Sequence, residues 1–415
     1  MAEPSTNRKA IFFILVTVLL DVLGLGIVIP VLPHLVADMV QEDPSSAARW
    51  FGAITASYAL MQFLFAPVAG ALSDRFGRRP VLLVSMAAMA CNYVVIALAP
   101  SLVWLFVARM LVGITGASFT VAGAYVADVS PPEKRAQSFG LVGAMFGLGF
   151  IFGPALGGML GHIGTRVPFW ASAAIVAVNF LYGWFVLPES LPVHLRRSFD
   201  IRRANPLGGL ARLARFPLAA SLAVVFALAT LAHRSLESVW VLYTAYRYGW
   251  RELENGMALA VVGVSSFLVQ AGLIRKVVPR IGERRAVVAG LCFSLTGMFF
   301  YGLSSSGWMM LATMPVAALG ALAMPSLQGL VSRNTPPDEQ GSLQGIFASI
   351  MSLSSVLAPL VASQLLAGFT GPDALAEIPG APFFAAALYL VAALLLALRA
   401  FRAETRAARP ERLPA

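Results

Sequence analysis

Long apolar segments dominate this chain and limit what it can fold into. Each is long enough to cross a bilayer, which takes ~20 apolar residues. In hydrocarbon every backbone polar group must be paired within its own segment or barrel, so unbroken apolar runs predict helices rather than strands. At 58% hydrophobic and 12% charged residues, the chain is more apolar than a water-soluble domain needs. The twelve segments lie at about 11–34, 52–72, 81–99, 101–127, 136–160, 168–187, 217–246, 256–274, 286–304, 308–332, 341–368 and 382–401.

The positive charges are distributed unevenly between these segments. With the N-terminus inside, 24 of the 30 lysines and arginines fall in cytoplasmic segments, four fall in outer loops, and Arg109 and Arg234 fall within spans. Positive residues collect on the cytoplasmic side of membrane proteins, so this division predicts that both termini are cytoplasmic. The net charge of +10 then faces anionic lipid. We expect membrane lipid as a partner and no nucleic acid.

The order of the segments predicts two halves. Residues 1–187 form an N-terminal six-helix bundle, 188–216 a cytoplasmic linker, 217–401 a C-terminal six-helix bundle, and 402–415 a cytoplasmic tail. The stretch SDRFGRRPV at 73–81 is matched by VPRIGERRAV at 278–287, and the shared pattern Arg-x-Gly-x-Arg recurs after about 205 residues. The fold expected is therefore all-α, with two pseudo-symmetric bundles and a substrate site between them near the bilayer midplane.

Ionisable residues within the spans are the main candidates for chemistry, because each costs on the order of 2.5–3.5 kcal/mol to insert. Asp21 is either a reversible proton site or part of a structural pair, and Arg109 is either its tuning cation or a donor to backbone. Arg234 and Glu237 share a helix face, so they form a self-neutralising pair or Glu237 is a second site for a proton or cationic substrate. His233 belongs to a proton relay or is merely hydrogen-bonded.

The charged motif GALSDRFGRRP at 70–80 is interpreted as a short cytoplasmic loop between two spans. Gly77 permits a tight turn, Asp74 can lie at a helix N-terminus, and Arg78 can pair with Asp128. If these contacts form in one state only, they lock the cytoplasmic side; the alternative is that the arginines merely anchor the topology. The candidate gating residues are Gly70, Asp74, Arg75, Gly77, Arg78, Arg79 and Asp128.

Glycines recur every four residues in the fifth segment, at Gly149, Gly153 and Gly157, with Gly158 beside them. This spacing places small residues on one face and lets two helix backbones approach closely, for packing or for gating. Pro154 removes a backbone hydrogen bond and is expected to bend the helix.

Polar and aromatic residues elsewhere in the spans either pack between helices or line a substrate cavity. The cavity candidates are Gln62, Asn92, Trp240, Gln270, Gln328 and Phe347. The four histidines, at 34, 162, 194 and 233, are scattered over different segments and form no convergent constellation. We therefore expect no catalytic residues, no metal site and no cofactor, with protons as the coupling ion.

Several stretches resemble a known family: LLDVLGLGIVIPVLP (19–33), YALMQFLFAPVAGALSDRFGRRPVLL (58–83), ARMLVGITGA (108–117), GAYVAD (123–128), FGLGFIFGPALGG (146–158), WVLYTAYRYGW (240–250), GERRAV (282–287), MPSLQGL (324–330) and QGSLQG (340–345). The chain is similar to the twelve-span drug/proton antiporters of the major facilitator superfamily, and specifically to the tetracycline efflux group. The resemblance implies export of a hydrophobic or amphipathic compound in exchange for protons, by rocking of the two halves. It assigns Asp21, Arg109 and the candidate gating residues to transport-critical positions.

The chain departs from that group at three places. The group carries acidic residues in its third and ninth spans, where this chain has Asn92 and Ser294. Its seventh span is usually uncharged, whereas this chain has Arg234 and Glu237 there. We infer that the carboxylate function of the C-terminal half is lost or has moved to Glu237.

The sequence thus predicts a monomeric, non-enzymatic exporter of the bacterial inner membrane that carries a small amphipathic compound, with Asp21 and Glu237 as proton carriers. Two alternatives stay open. One is an exporter or symporter of an endogenous metabolite or siderophore, and the other is a membrane receptor without transport activity.

Overall fold

The computed structural model describes residues 8–40, 44–116, 118–131, 135–196, 217–334, 340–372, 374 and 376–407. Within these ranges the chain is helical throughout and contains no strand, as expected for apolar segments that must pair their own backbone groups. The helices are α1 (Arg8–Val28), α2 (Leu32–Val40), α3 (Pro44–Phe76), α4 (Arg78–Leu98), α5 (Leu102–Thr115), α6 (Ser118–Val129), α7 (Arg135–Ile163), α8 (Val167–Val186), α9 (Pro217–Tyr248), α10 (Glu252–Leu268), α11 (Ile274–Ile281), α12 (Glu283–Leu303), α13 (Gly307–Ala318), α14 (Ala323–Arg333), α15 (Gln340–Thr370) and α16 (Ala381–Ala407).

Eleven helical stretches in the described ranges are long and apolar enough to span a membrane. They coincide with eleven of the twelve predicted segments, which confirms the all-α membrane fold. The remaining segment, 256–274, covers most of α10 and a five-residue π-helical turn, Val269–Leu273, that separates α10 from α11. The count of twelve spans and the cytoplasmic placement of both termini stay predictions.

The predicted loop at 70–80 is wrong in its extent. Helix α3 continues to Phe76 and α4 begins at Arg78, so Gly77 alone separates them. Gly77 makes this possible because its backbone, at φ 105° and ψ 158°, adopts a conformation that is essentially restricted to glycine. The charged residues therefore lie on two helix ends rather than on a loop.

The chain divides into two compact units. The first comprises residues up to Asn205 together with Thr244–Gly263, and the second comprises Pro206–Tyr243 and everything from Val264 onward. In the first unit α1 packs on α7 and α8, α3 on α5, and α4 on α8. In the second unit α12 packs on α13, α14 and α16.

The predicted bundle, linker and tail boundaries are not decided by these units. Of the linker, residues 188–196 are described and include a 3-10 turn at Val193–Leu195, whereas 197–216 lie outside the described residues. Helix α16 runs through the start of the predicted tail to Ala407.

Candidate functional site

Arg78 is the centre of an ion-pair network at the turn between α3 and α4. Its Nη1 lies 2.6 Å from Asp74 Oδ1, and its Nε lies 3.1 Å from Asp128 Oδ2 near the end of α6. Nη1 also donates to Ser73 Oγ at 2.6 Å, and that hydroxyl donates to the carbonyl of Gly70 at 2.7 Å. The Arg78–Asp128 contact predicted from the sequence is thus present. Asp74 pairs across the turn with Arg78, the first residue of α4.

Glu189, which the sequence analysis did not single out, completes this network. Its Oε1 accepts hydrogen bonds from the backbone N–H groups of Arg78 at 2.9 Å and of Ser190 and Leu191 at 3.0 Å each. A carboxylate at the N-terminus of α4 is stabilised by the unpaired amides and by the helix dipole. The signal in the sequence was an acidic residue directly after the sixth span, but nothing in the sequence relates it to position 78.

The remaining motif arginines make separate contacts. Arg79 Nη2 donates to the carbonyl of Trp184 at 2.5 Å, which ties α4 to the end of α8. The Arg75 guanidinium lies 5.1 Å from the ring centre of Phe76. Three arginines in the motif therefore have three different partners.

The second unit repeats the turn. Gly282 separates α11 from α12 with φ 80° and ψ 155°, close to the values at Gly77. Beside it Glu283 pairs with Arg333, and Arg284 pairs with Glu404. The repeated Arg-x-Gly-x-Arg pattern thus corresponds to the same backbone geometry in both units, with different ion pairs around it.

Asp21 is buried, at 2% exposure, on α1 within the membrane-length stretch Ala10–Val40. Its Oδ1 accepts a hydrogen bond of 2.9 Å from Asn179 Nδ2 on α8, and the same amide donates to the carbonyl of Thr17 at 3.0 Å. A neutral amide solvates the carboxyl group in either protonation state without fixing its charge. The sequence analysis did not relate Asn179 to Asp21.

Arg109 is also buried, at 6% exposure, on α5. Its guanidinium lies 4.6 Å from the ring centre of Tyr58, an arrangement in which the ring stabilises the cation. Its Nε makes no hydrogen bond within the described part of the chain. The structure therefore places the ring of Tyr58 against Arg109, which the sequence analysis did not predict.

Helix α9 carries an ion pair near its middle. Arg234 Nη1 and Glu237 Oε2 are 2.6 Å apart, and the Glu237 side chain is 56% exposed. At 100° per residue, Glu237 lies about 140° around the helix from Val224, whose apolar side chain is 50% exposed. Glu237 thus lies on a different side of α9 from Val224. His233 has its Nδ1 2.9 Å from the carbonyl of Ala229, so the local hydrogen bond considered for it is present.

The glycine face of α7 packs directly on α1. A Cβ at Gly149 would lie 2.6 Å from Val22 Cγ1, and one at Gly153 would lie 2.7 Å from Gly26 Cα. Pro154 is accommodated inside the continuous helix α7. Gly158 packs on a different helix, α10, because a Cβ at Gly256 would lie 2.9 Å from the Cα of Gly158. The close backbone approach predicted from the glycine spacing is present.

The six cavity candidates are not brought together at a described cavity, so their role stays a prediction. Asn92 donates to the carbonyl of Ala108 at 2.8 Å, and Gln62 lies 3.5 Å from that of Gly116, both of which are contacts between helices. Phe347 packs on Phe226 at 4.5 Å between ring centres. Buried Trp240 packs on Tyr301, and its Nε1 has no hydrogen-bond partner among the described residues. Gln270 and Gln328 are exposed.

A fold of membrane-length helices in two units, with the same glycine turn in each, defines a helical membrane transporter. The family model of the Major Facilitator Superfamily matches residues 14–282 and 273–415, and the chain belongs to this family. This confirms the family suggested by the sequence motifs and identifies the chain as a transporter rather than an enzyme.

The chain is similar to curated tetracycline resistance proteins. It is 41% identical to the class C protein of Escherichia coli over 386 residues, covering 93% of this chain and 96% of that protein. It is 36% identical to the class G protein of Vibrio anguillarum, covering 88% and 92%. With such relatives and many membrane-spanning helices, the chain is a multi-pass protein of the bacterial inner membrane.

Solved structures share the fold. The human organic anion transporter MFSD10 is 25% identical with a TM-score of 0.70, covering 94% of this chain and 99% of that one. A bacterial homologue of the human lysosomal transporter Spinster, in an inward-facing and occupied conformation, is 17% identical with a TM-score of 0.76, covering 97% and 98%.

Proposed function

We propose that this transporter exports a drug or a similar small amphipathic compound, such as a tetracycline, in exchange for protons. The similarity to tetracycline resistance proteins over nearly the whole chain supports drug efflux. Exchange with protons requires a group whose proton affinity changes as the protein opens to each side in turn. Alternating access of the two halves would supply that change.

Asp21 is the proposed proton carrier, and its surroundings are the observation on which the proposal depends. The carboxyl group is 2% exposed within a membrane-length helix and is bonded to the amide of Asn179. Burial disfavours the charged form, and a cation in the vicinity favours it, so movement of either helix relative to Arg109 would load or release the proton.

Glu237 is the proposed second carrier, or a site for a cationic substrate. Its pairing with Arg234 offsets part of the cost of a mid-span charge, and its exposed carboxylate is open to a partner that would compete with the arginine. In this proposal Glu237 takes over the carboxylate function of the C-terminal half, where the tetracycline efflux group has an acidic residue and this chain has Ser294.

The test is ΔpH-driven uptake of tetracycline, and of a panel of amphipathic drugs, into everted membrane vesicles. Asp21→Asn should abolish uptake and the accompanying proton release while the protein is still found in the membrane, because the amide retains the hydrogen-bonding shape but cannot carry a proton. Glu377→Gln is the control, since Glu377 is exposed and lies outside the helices. Full uptake by Asp21→Asn, or uptake in the parent that persists with a protonophore, would rule out the proposed coupling.

A further inference from the structure

A second buried carboxyl group lies at the other end of the first unit, away from the Arg78 network. Glu252 is the first residue of α10 and is 2% exposed. Its Oε2 lies 3.6 Å from Arg251 Nε, while its Oε1 is buried and has no hydrogen-bond partner among the described residues. A buried carboxylate oxygen without a partner costs free energy, so a group of this kind indicates a missing ligand.

Two glycines of α7, Gly158 and Gly161, lie against Glu252. A Cβ at Gly161 would lie 2.8 Å from both Cβ and Cγ of Glu252, and Gly158 lies against the Glu252 backbone. Val31, which is fully buried, lies 3.0 Å from the same Gly161 position. The carboxyl group is therefore enclosed where α7, α10 and the link between α1 and α2 meet.

His34 on α2 supplies the second atom that lacks a partner. Its Nε2 is buried and makes no hydrogen bond within the described ranges. The charged groups that act on the imidazole are Glu252, Arg251 and Glu254 from the start of α10 and Asp38 from its own helix.

Gly158 and Gly161 of α7 lie against Glu252, and Val31 lies against the same Gly161 position. The Leu35 N–H donates to the carbonyl of Val31, so the chain is already helical there and His34 lies on the same helix face as Val31, one turn along. Two buried atoms that can each hold or accept a proton, Glu252 Oε1 and His34 Nε2, thus lie on elements that meet at Gly161.

We propose that Glu252 and His34 together bind a proton, directly or through a water molecule, and that this proton closes the outer ends of α2, α7 and α10. In the closed arrangement Glu252 Oε1 has no donor among the described residues, whereas water supplies donors when the helices separate, so separation favours the carboxylate. Release of the proton leaves a buried carboxylate, and its free-energy cost falls when the region opens to water. By the predicted topology this end of the helices faces outward. Protons enter from that side under the proposed function, on which this proposal rests.

The experiment measures how readily the closed region opens, without any substrate. Val31→Cys is introduced after Cys91→Ser and Cys292→Ser remove the native thiols. Cells with an exposed outer face are treated with a membrane-impermeant maleimide at external pH of about 5 and about 8, which bracket the range in which a histidine–carboxylate pair exchanges a proton. Glu252→Gln in the same background carries the same thiol, so the ratio of the two labelling rates removes the pH dependence of the thiol itself.

The ratio of parent to Glu252→Gln labelling should be near unity at the lower pH. It should rise at least about tenfold at the higher pH, since a one-proton equilibrium changes by up to tenfold per pH unit. Glu377→Gln, at an exposed position outside the helices, should behave as the parent. His34→Ala should label quickly at both pH values, because the proton has lost its second partner.

A ratio that does not change with pH, or protection that follows sodium concentration at fixed pH, would overturn the proposal. The result is separable from the proposed function. Failure here leaves the Asp21 test untouched, and proton-independent export would leave the labelling experiment unaffected.

Discussion

At the residue scale, two carboxyl groups buried in the first unit have neutral amide or imidazole neighbours. Asp21 is bonded to Asn179, and Glu252 shares its surroundings with His34. The sequence could identify Asp21, because a lone acid in an apolar run is conspicuous. It could not identify its partner 158 positions away, since only the packing of α1 on α8 brings the two together.

Glu237 differs because its partner is local and its carboxylate is exposed. Replacing Glu237 with Gln removes one negative charge beside Arg234, so this part of α9 becomes more positive, which disfavours cations and affects neutral compounds less. The export rate of cationic drugs relative to neutral drugs should fall about tenfold, which corresponds to a change of about 1.4 kcal/mol. Parallel uptake assays with both kinds of drug measure this ratio.

The double variant Arg234→Gln with Glu237→Gln is the control, because it removes both charges together. It should restore the ratio most of the way to that of the parent. An unchanged ratio in Glu237→Gln would exclude contact between this carboxylate and cationic substrates.

At the element scale, helix α7 contains glycines that are spatially required and glycines that are not. A Cβ at Gly153 would collide with the backbone of α1, whereas one at Gly147 would meet no described atom within 4 Å. The four-residue spacing in the sequence predicted the packed face, but it could not say which helix would occupy it.

Gly153→Ala should therefore push α1 and α7 apart, lowering the melting temperature in detergent and impairing uptake. Gly147→Ala should be neutral or raise the melting temperature, because alanine is favoured over glycine in a helix interior by about 1 kcal/mol. Fluorescence-monitored unfolding of both variants makes the comparison. Equal melting temperatures would show that the contact of Gly153 with α1 does not contribute to stability.

At the scale of the whole molecule, the two units repeat one turn and surround it differently. Gly77 and Gly282 share a backbone conformation that costs other residues of order 1–3 kcal/mol. A Cβ at Gly77 would also lie 2.8 Å from Cδ of Glu189, whereas one at Gly282 would have open space. The sequence shows the repeat as Arg-x-Gly-x-Arg, but it does not show that Glu189 packs against the first of the two turns.

Gly282→Ala should lower stability by the backbone strain alone. Gly77→Ala should lower it further and impair export more, because the new methyl group displaces Glu189 from the N-terminus of α4. The comparison uses melting temperature and vesicle uptake for both variants. If both fell equally, the Glu189 contact would contribute nothing to stability beyond the turn.

The positions of the membrane helices were the most predictable part of the molecule, since length and apolarity alone set them. The eighth segment is the exception, because its hydropathy gives no sign of the π turn at Val269–Leu273.

The π turn changes the direction in which the residues after it point around the helix axis. It inserts one residue into the winding, so everything after Leu273 is rotated by about 100° relative to an uninterrupted helix. A Cβ at Gly272 would have open space around it. Deleting this residue would restore regular α-helical winding and rotate the basic helix α11 about the helix axis. The orientation of that positively charged end is therefore set by a single surplus residue upstream of it.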